Sequence, residues 1–150
     1  MPAAKHTPKG FHTVNPYITA EGADKVVAFL QKAFGAEFDH EPMNRPDGKL
    51  MHASLKIGDS MVMVAEASER AKAMPASLYL YLPDVDAAYQ RAIKAGATSL
   101  MEPADQFYGD RCGGVTDSAG NQWYLATHIE DVKLPELKRR AAEVFKNKAA

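Results

Sequence analysis

The histidines of this chain are the side chains best suited to proton transfer. His52 and His40 flank a predicted hairpin turn, and a loop of about five residues would place them opposite each other on one face. His128 shares a strand face with Tyr124, because alternate side chains of a strand point to the same side. An imidazole titrates near neutral pH, so His52 and His128 are our candidate catalytic residues. The alternative is a structural histidine, solvated or hydrogen-bonded, with His128 bonded to the Glu130–Asp131 region.

Arg111 is the candidate for binding an anionic group. Its guanidinium could hold a carboxylate or a phosphonate through two parallel hydrogen bonds. The alternative is an ion pair with Asp110 or with another nearby acid. Cys112 follows Arg111 directly, and strand alternation points its thiol to the opposite face, which favours a small buried hydrophobic residue over a reactive thiol.

The composition describes one ordinary globular domain and excludes several classes of partner. The chain has 150 residues, of which 46% are hydrophobic and 25% are charged. With a net charge of −1, the chain has no positive electrostatic potential to attract nucleic acid or an anionic membrane surface, so we expect neither partner. A single cysteine excludes an intrachain disulfide and a multi-cysteine zinc site. With no signal-peptide pattern at the start, we expect a cytoplasmic protein.

An internal repeat provides the elements that must position these residues. Two segments have apolar residues at the spacing of a one-faced helix, and each ends in a Gly-Ala pair that can stop a helix. The apolar positions are Ala23, Val26, Val27, Leu30, Ala33 and Phe34 in the first helix, and Val85, Ala88, Tyr89, Ala92 and Ile93 in the second. Pro83 and Asp84 mark the entry to the second helix.

Strand-like segments flank each predicted helix, so each half is a βαβββ module. The predicted strands are 13–19, 37–43, 50–57 and 61–65 in the first half, and 77–82, 98–102, 110–116 and 122–128 in the second. Neither half can bury its sheet alone, so we expect one domain with a shared core. We expect residues 1–12 to be an N-terminal extension and 13–132 the domain, with modules at about 13–66 and 77–130. Residues 133–150 form an amphipathic helix that packs on its own sheet or on a partner subunit.

Several short segments, in this order and on a visible repeat, resemble one known family. They are residues 27–37, Met51-His52-Ala53, 57–60, 83–88, Tyr108-Gly109-Asp110-Arg111, 117–123 and 125–132. The chain between Thr13 and Val132 is similar to the vicinal oxygen chelate superfamily of glyoxalases, bleomycin-resistance proteins and ring-cleaving dioxygenases. The closing segment looks like its phosphonate-operon-associated or demethylubiquinone-methyltransferase-like branch.

The resemblance implies an α+β fold in which two tandem βαβββ modules form a curved mixed sheet around a pocket, followed by a C-terminal helix. It also implies a homodimer. Metal-dependent members of the family place their ligands on the first and fourth strands of each module. Those positions hold Asn15, Met63, Ser77 and Tyr124 here, and none of the four is a usual ligand. We therefore expect neither a metal nor another cofactor.

The same register turns Asn15, Tyr17, Met63 and Tyr124 towards the pocket, and with Arg111 they are our candidate ligand-binding residues. The sequence thus predicts a metal-independent protein that binds a small organic molecule. The alternative is a metal-dependent enzyme of the same superfamily, a glyoxalase-like lyase, an isomerase or a dioxygenase, in which His52 or His128 moves a proton or joins the metal site.

Overall fold

The chain folds as a tandem repeat of strands and helices followed by a third helix. The computed structural model describes residues 2–149, and side chains as far as Lys148; Met1 and Ala150 lie outside the described part. The helices are α1 (Ala23–Phe34), α2 (Val85–Lys94) and α3 (Leu134–Ala149). The strands are β1 (Tyr17–Ala20), β2 (Glu37–Phe38), β3 (Met43–Asn44), β4 (Leu50–Ile57), β5 (Ser60–Glu66), β6 (Ser77–Tyr81), β7 (Thr98–Asp105), β8 (Asp110–Thr116) and β9 (Gln122–His128).

Each half forms its own sheet with the same topology. The first sheet has the order β1-β5-β4-β2, with β3 also paired to β4, and the second has the order β6-β9-β8-β7. The strand before each helix runs parallel to the last strand of its half, and the remaining pairs are antiparallel. The predicted α+β fold of two βαβββ modules and a C-terminal helix is therefore confirmed. The two modules form two separate sheets rather than a continuous one.

The shared core lies between the sheets and the first two helices. Helix α1 contacts β1, β4 and β5, whereas α2 contacts β7, β8 and β9, so each helix covers one face of its own sheet. The residues at helical spacing are buried as predicted, among them Val26, Leu30, Val85 and Ala92. The helices also contact each other, and the Arg91 Nε donates a hydrogen bond to the carbonyl of Ala33 at 3.1 Å.

The helix ends are satisfied by side chains and by glycine. Helix α1 starts after Gly22, which has no capping side chain, and the Glu66 carboxylate accepts hydrogen bonds from the N–H groups of Gly22 and Ala23 at 3.1 and 3.0 Å. It ends at Gly35 in the left-handed conformation, at φ 65°. The Asp84 side chain caps α2, as the predicted entry requires.

Two predicted strands are shorter than the apolar pattern indicated. The segment 37–43 divides into β2 and β3 around an exposed bend at 39–42, where Pro42 has no N–H to donate to a sheet. The first strand starts only at Tyr17. The side chain of Asn15 forms a local turn before it, accepting from the N–H of His12 at 3.0 Å and donating to its carbonyl at 2.7 Å.

The C-terminal helix was predicted over 133–150; α3 begins at Leu134, and Ala150 lies outside the described part. Arg140 connects α3 to the rest of the domain. It donates hydrogen bonds to the Glu130 carboxylate at 2.7 and 2.9 Å and to the carbonyl of Phe107 at 3.2 Å. Leu134 and Phe145 on this helix are 61% and 68% exposed. Within residues 2–149, the structure contains no helix with the length and apolar character that a membrane span needs.

Candidate functional site

A cluster of polar and aromatic side chains occupies the helix-free face of the second sheet. Leu78 and Leu80 of β6 pack against the core, so alternation points Tyr79 and Tyr81 to the other side. The strand pairing places Asp110 of β8 directly opposite His128 of β9. Three strands thus bring two phenols, a carboxylate and an imidazole together.

Asp110 is the centre of this cluster, and it is only 3% exposed. Its Oδ2 accepts hydrogen bonds from the hydroxyls of Tyr79 and Tyr81 at 2.7 and 2.9 Å, and its Oδ1 accepts from the Nδ1 of His128 at 2.8 Å. Burial acts to raise the pKa of the Asp110 carboxyl, but the bonds from His128 and the two tyrosines outweigh it and lower the pKa. Asp110 is therefore a buried anion at neutral pH.

His128 lies between two carboxylates. Its Nδ1 faces Asp110, and its Nε2 lies 2.7 Å from the Oδ1 of Asp131. Only the imidazolium form can donate to both acceptors at once, and the two hydrogen bonds raise the pKa of His128. The side chain of Asp131 is fully exposed, so a ligand can displace it from the Nε2 of His128. This arrangement can supply a proton to a molecule that replaces Asp131.

The turn before β8 places the two carboxylates around the imidazole. Gly109 has φ 99°, and its carbonyl accepts hydrogen bonds from the N–H groups of Ile129 and Glu130 at 2.9 and 3.0 Å. A Cβ at this position would collide with the carbonyl oxygen of Glu130. Glycine is therefore required for the close approach that joins the start of β8 to the end of β9.

Tyrosine rings surround the carboxylate. The ring centroids of Tyr79 and Tyr81 are 5.3 Å apart, and the ring of Tyr124 stacks on Tyr79 at 6.5 Å. Burial raises the pKa of Tyr79, with further contributions from Tyr108 and Asp110, and the hydrogen bond to Asp110 raises the pKa of Tyr81. Both hydroxyls keep their protons at neutral pH.

A cleft of about 730 Å³ lies where the two halves meet, and strand β6 forms one wall. Tyr79 and Tyr81 line this cleft, with Asn15, Asp59 and Met61 on the opposite side. Its volume is in the range of about 300–1,000 Å³ that is typical of small-molecule sites. The tyrosines of the cluster therefore border a space large enough for an organic ligand.

The structure divides the predicted site residues between the two halves. Tyr17 and Met63 are partners in the β1–β5 ladder, and the ring of His52 lies 5.9 Å from that of Tyr17. The Nε2 of His52 is 3.1 Å from the hydroxyl of Ser54, and its ring stacks on His40 at 6.3 Å. Tyr17, Met63 and His52 therefore meet on the open face of the first sheet.

The strand partner of His52 is Met43 rather than the expected His40, because the bend at 39–42 separates His40 from the strand. In the second half, Tyr124 and His128 lie on the same open face, as alternation predicts. Asn15 is separate from both groups and lines the cleft.

Arg111 lies on the other face of β8, directed towards α2. Its Nε and Nη2 donate to the Asp86 carboxylate at 2.8 and 2.9 Å, and its Nη1 donates to Asp105 at 3.1 Å. These hydrogen bonds raise the pKa of Arg111. The guanidinium that we considered for a ligand anion is thus engaged by two carboxylates of the chain itself.

The sequence contained a signal for the residues that our sequence reasoning missed. Alternation along β6 puts Tyr79 and Tyr81 on one face. The turn 117–121 pairs Thr116 with Gln122, and counting outward along that hairpin reaches Asp110 opposite His128. The Glu130–Asp131 region was predicted as an alternative hydrogen-bond partner of His128, and Asp131 lies 2.7 Å from its Nε2.

The residues at the metal-ligand positions of the family do not fit a divalent ion. Both amide atoms of Asn15 are engaged by the backbone of His12, and Met63, Ser77 and Tyr124 offer a thioether, a hydroxyl and a phenol. Within the described residues, no group of three or more His, Cys, Asp and Glu side chains is arranged to hold a metal. We therefore derive no chemical step through a metal.

Comparison with known proteins agrees with this architecture. Residues 10–125 match the model of the Glyoxalase/Bleomycin resistance protein/Dioxygenase superfamily, and the chain belongs to this superfamily. An uncharacterised protein of Mycobacterium bovis is 35% identical over 137 aligned residues, covering 83% of this chain and 89% of the relative. One from Mycobacterium tuberculosis strain H37Rv is also 35% identical, with 83% and 79% covered. The branch within the superfamily stays a prediction.

Solved structures share the fold. TioX from Micromonospora sp. ML1 has a TM-score of 0.62 and 23% identity, covering 77% of this chain and 99% of TioX. A glyoxalase/bleomycin resistance protein/dioxygenase from Nocardioides has a TM-score of 0.59 and 16% identity, covering 87% and 90% of the two chains. At these identities the likeness concerns the fold alone.

Proposed function

We propose that this protein binds a small organic molecule in the cleft between its two halves, without a bound metal. The observation that carries the proposal is the pair Tyr79 and Tyr81, which are 43% and 64% exposed at the cleft while their hydroxyls are fixed on the buried Asp110. Exposed aromatic surface held in one geometry by a buried partner is typical of a binding site. Membership of the superfamily supports the binding of a small molecule.

The proposal assigns roles to the predicted residues. Asn15 and Tyr124 contact the ligand together with the β6 tyrosines, because they line the cleft or stack on Tyr79. His128 is the proton-transfer candidate, held by Asp110 on its inner side. On the first sheet, Tyr17, Met63 and His52 form a second surface of the same kind, for which we propose contacts with the outer part of the ligand or with a partner subunit.

We also propose a homodimer in the cytoplasm. Tyr17 is exposed on the open face of the first sheet, and Leu134 and Phe145 are exposed on α3, so a second subunit can cover these large side chains. The single cysteine, which is buried, suits a reducing compartment.

The binding proposal is tested by screening small aromatic compounds for thermal stabilisation and mapping the hits by amide chemical-shift changes. We expect the shifts to concentrate on β6, on the 12–16 segment and on β9. Tyr81→Ala should weaken binding of a hit at least about tenfold, which corresponds to about 1.4 kcal/mol. Phe38→Ala is the matched control, since Phe38 is a 39% exposed aromatic residue of β2 outside the cleft.

Shifts that map to a different surface, or equal losses in the two variants, would contradict this site. The catalytic alternative is examined with the same hits, by following each compound for conversion over time. A hit that is released unchanged supports a binding protein rather than an enzyme.

A further inference from the structure

His128 already holds a carboxylate on its outer ring nitrogen. The Nε2 lies 2.7 Å from the Oδ1 of Asp131, and the Nδ1 lies 2.8 Å from the Oδ1 of Asp110. The hydrogen bonds to Asp110 and Asp131 raise the pKa of His128, which favours the imidazolium that donates to both. The Nε2 is therefore a cationic N–H donor with a carboxylate oxygen in hydrogen-bonding position.

The two carboxylates differ in how firmly they are held. Asp110 is buried and also accepts hydrogen bonds from two tyrosine hydroxyls. The side chain of Asp131 is fully exposed, and within residues 2–149 its one hydrogen bond is to His128. The N–H of Glu130 donates to the carbonyl of Gly109 at 3.0 Å and anchors the preceding backbone. Rotation of the Asp131 side chain is therefore enough to expose the Nε2.

A ligand carboxylate can replace the Asp131 carboxylate without changing the charge at His128. An ion pair with a fully exposed partner is weak, because water and the lost side-chain freedom compete with it. A ligand that makes further contacts can therefore displace Asp131. A phosphate dianion would bring a second negative charge close to Asp110, and a cationic amine would meet the positive imidazolium. The site thus favours a carboxylate.

The ring of Tyr81 offers a further contact beside this imidazolium. The register pairs Tyr81 of β6 with Ala126 of β9, and it places Asp110 opposite His128. The Tyr81 hydroxyl donates to the Oδ2 of Asp110 at 2.9 Å, so the ring extends across β9 over the buried Ala126. Because Tyr81 is 64% exposed, aromatic surface is open to solvent close to His128. An aromatic group attached to the carboxylate can pack there.

We propose that the Nε2 of His128 binds the carboxylate of a small aromatic acid, and that Asp131 occupies this position in the absence of the ligand. The ligand carboxylate takes the place of the Asp131 side chain, and its ring packs on Tyr81. Neither His128 nor Asp131 is among the residues that line the cleft. This site is therefore separate from the proposed cleft site and does not depend on it.

Three probes test the ligand class: phenylacetate, the neutral phenylacetamide of the same shape, and acetate, which lacks the ring. Each is titrated into the full-length protein at pH 6, and dissociation constants are obtained from amide chemical shifts. We expect phenylacetate to bind at least about tenfold more tightly than either of the other two, which corresponds to about 1.4 kcal/mol. The shifts should concentrate on residues 108–111 and 126–131.

Two variants change the site in opposite directions. Asp131→Ala removes the internal competitor, so phenylacetate should bind about threefold to tenfold more tightly. Glu69→Ala is the matched control, because it removes one exposed carboxylate between β5 and β6 and should change the affinity less than about twofold. His128→Asn keeps an N–H donor for Asp110 but lacks the Nε2, and binding should weaken at least about tenfold.

Each of several outcomes would overturn this inference. Phenylacetamide might equal phenylacetate in affinity, or Asp131→Ala and Glu69→Ala might have equal effects; either result excludes a carboxylate that competes with Asp131. If His128→Asn does not fold, Asp131→Ala still decides the question, because its side chain is fully exposed. Phenylacetate shifts confined to β6 and residues 12–16 would support the cleft and contradict the site at His128. An absence of shifts at millimolar phenylacetate, even in Asp131→Ala, would exclude the His128 site and leave the cleft proposal unaffected.

Discussion

Asp110 joins side chains that lie far apart in the chain, and their protonation states depend on one another. Its carboxylate is tied to His128, whose second nitrogen is tied to Asp131. The sequence predicted His128 on the open face from alternation alone. It also predicted a hydrogen bond from His128 to the Glu130–Asp131 region as the alternative, and Asp131 lies within hydrogen-bond distance of this ring. It did not predict that Asp110 holds the other ring nitrogen at the same time.

The charge on His128 gives folding stability a defined pH dependence. Its pKa in the folded protein is raised above the ordinary 6.5, so its contribution is complete below pH 6.5 and is lost as pH rises through the folded value. The pKa of Asp110 is lowered below the ordinary 3.8, so its contribution is complete above pH 3.8 and is lost as pH falls through the folded value.

The prediction concerns His128→Asn, which keeps an N–H donor but carries no charge. The wild type should exceed this variant in free energy of unfolding most clearly between pH 3.8 and pH 6.5, and the difference should shrink at higher pH. Urea titrations at several pH values measure it. The exposed His6 provides the control as His6→Asn, and a difference that stays constant up to pH 9 would contradict the proposed charge pair.

Helices and strands could be predicted from the sequence where the local spacing of apolar residues and the turn residues determine them. Both core helices follow from apolar residues at helical spacing, and Asp84 marks the start of α2. The first strand and the segment 37–43 were predicted too long. In both cases a proline and a local polar turn interrupt the sheet, and whether such a turn forms depends on the neighbouring strands rather than on the segment itself.

Helix α1 depends on a cap from a distant strand. The Glu66 carboxylate accepts from the first N–H groups of the helix, so Glu66→Ala should destabilise the protein by about 1–2 kcal/mol in urea unfolding. Glu66→Gln, which keeps one acceptor oxygen, should lose less. Glu21→Ala is the control, because Glu21 is exposed beside the same helix end. Equal effects at positions 21 and 66 would show that the cap contributes nothing.

Two glycine-to-alanine substitutions test whether the close backbone approach at the turn before β8 is rigid. Gly48 and Gly109 both have positive φ, at 85° and 99°, but only at Gly109 does an added Cβ meet backbone. Gly48→Ala should cost about 1 kcal/mol from conformation alone. Gly109→Ala should cost at least about 3 kcal/mol, because the Glu130 carbonyl must move. Similar midpoints of urea unfolding for the two variants would mean that the close approach is not rigid.

At the scale of the whole molecule, the donor chemistry at the family's metal positions predicts a protein that needs no metal. Elemental analysis of untagged protein, purified without chelator, should find well below one divalent ion per chain, before and after incubation with manganese, iron, nickel and zinc. Thermal stability should not change on addition of these ions. One tightly held ion per chain would contradict the prediction and make His52 and His128 the first ligands to substitute.

The exposed aromatic and aliphatic side chains predict self-association. Tyr17, Leu134 and Phe145 are all more than half exposed, and a monomer would leave them in water. Sedimentation velocity at micromolar concentration should give twice the chain mass of 16.4 kDa. Tyr17→Glu should shift the equilibrium towards monomer, with Glu21→Ala as a surface control. A monomer at every concentration would exclude the homodimer.

Trp123 gives the molecule an optical property of its own. It is the single tryptophan of the chain, it is completely buried, and its Nε1 donates to Asp117 at 2.9 Å. Although it belongs to the second half, its ring lies 5.5 Å from Phe34 and 6.4 Å from Phe29 in the helix of the first half. The fluorescence of Trp123 therefore reports on the contact between the two halves. When the halves separate during unfolding, its emission should shift to longer wavelength, so the kinetics of their separation can be followed without an attached dye.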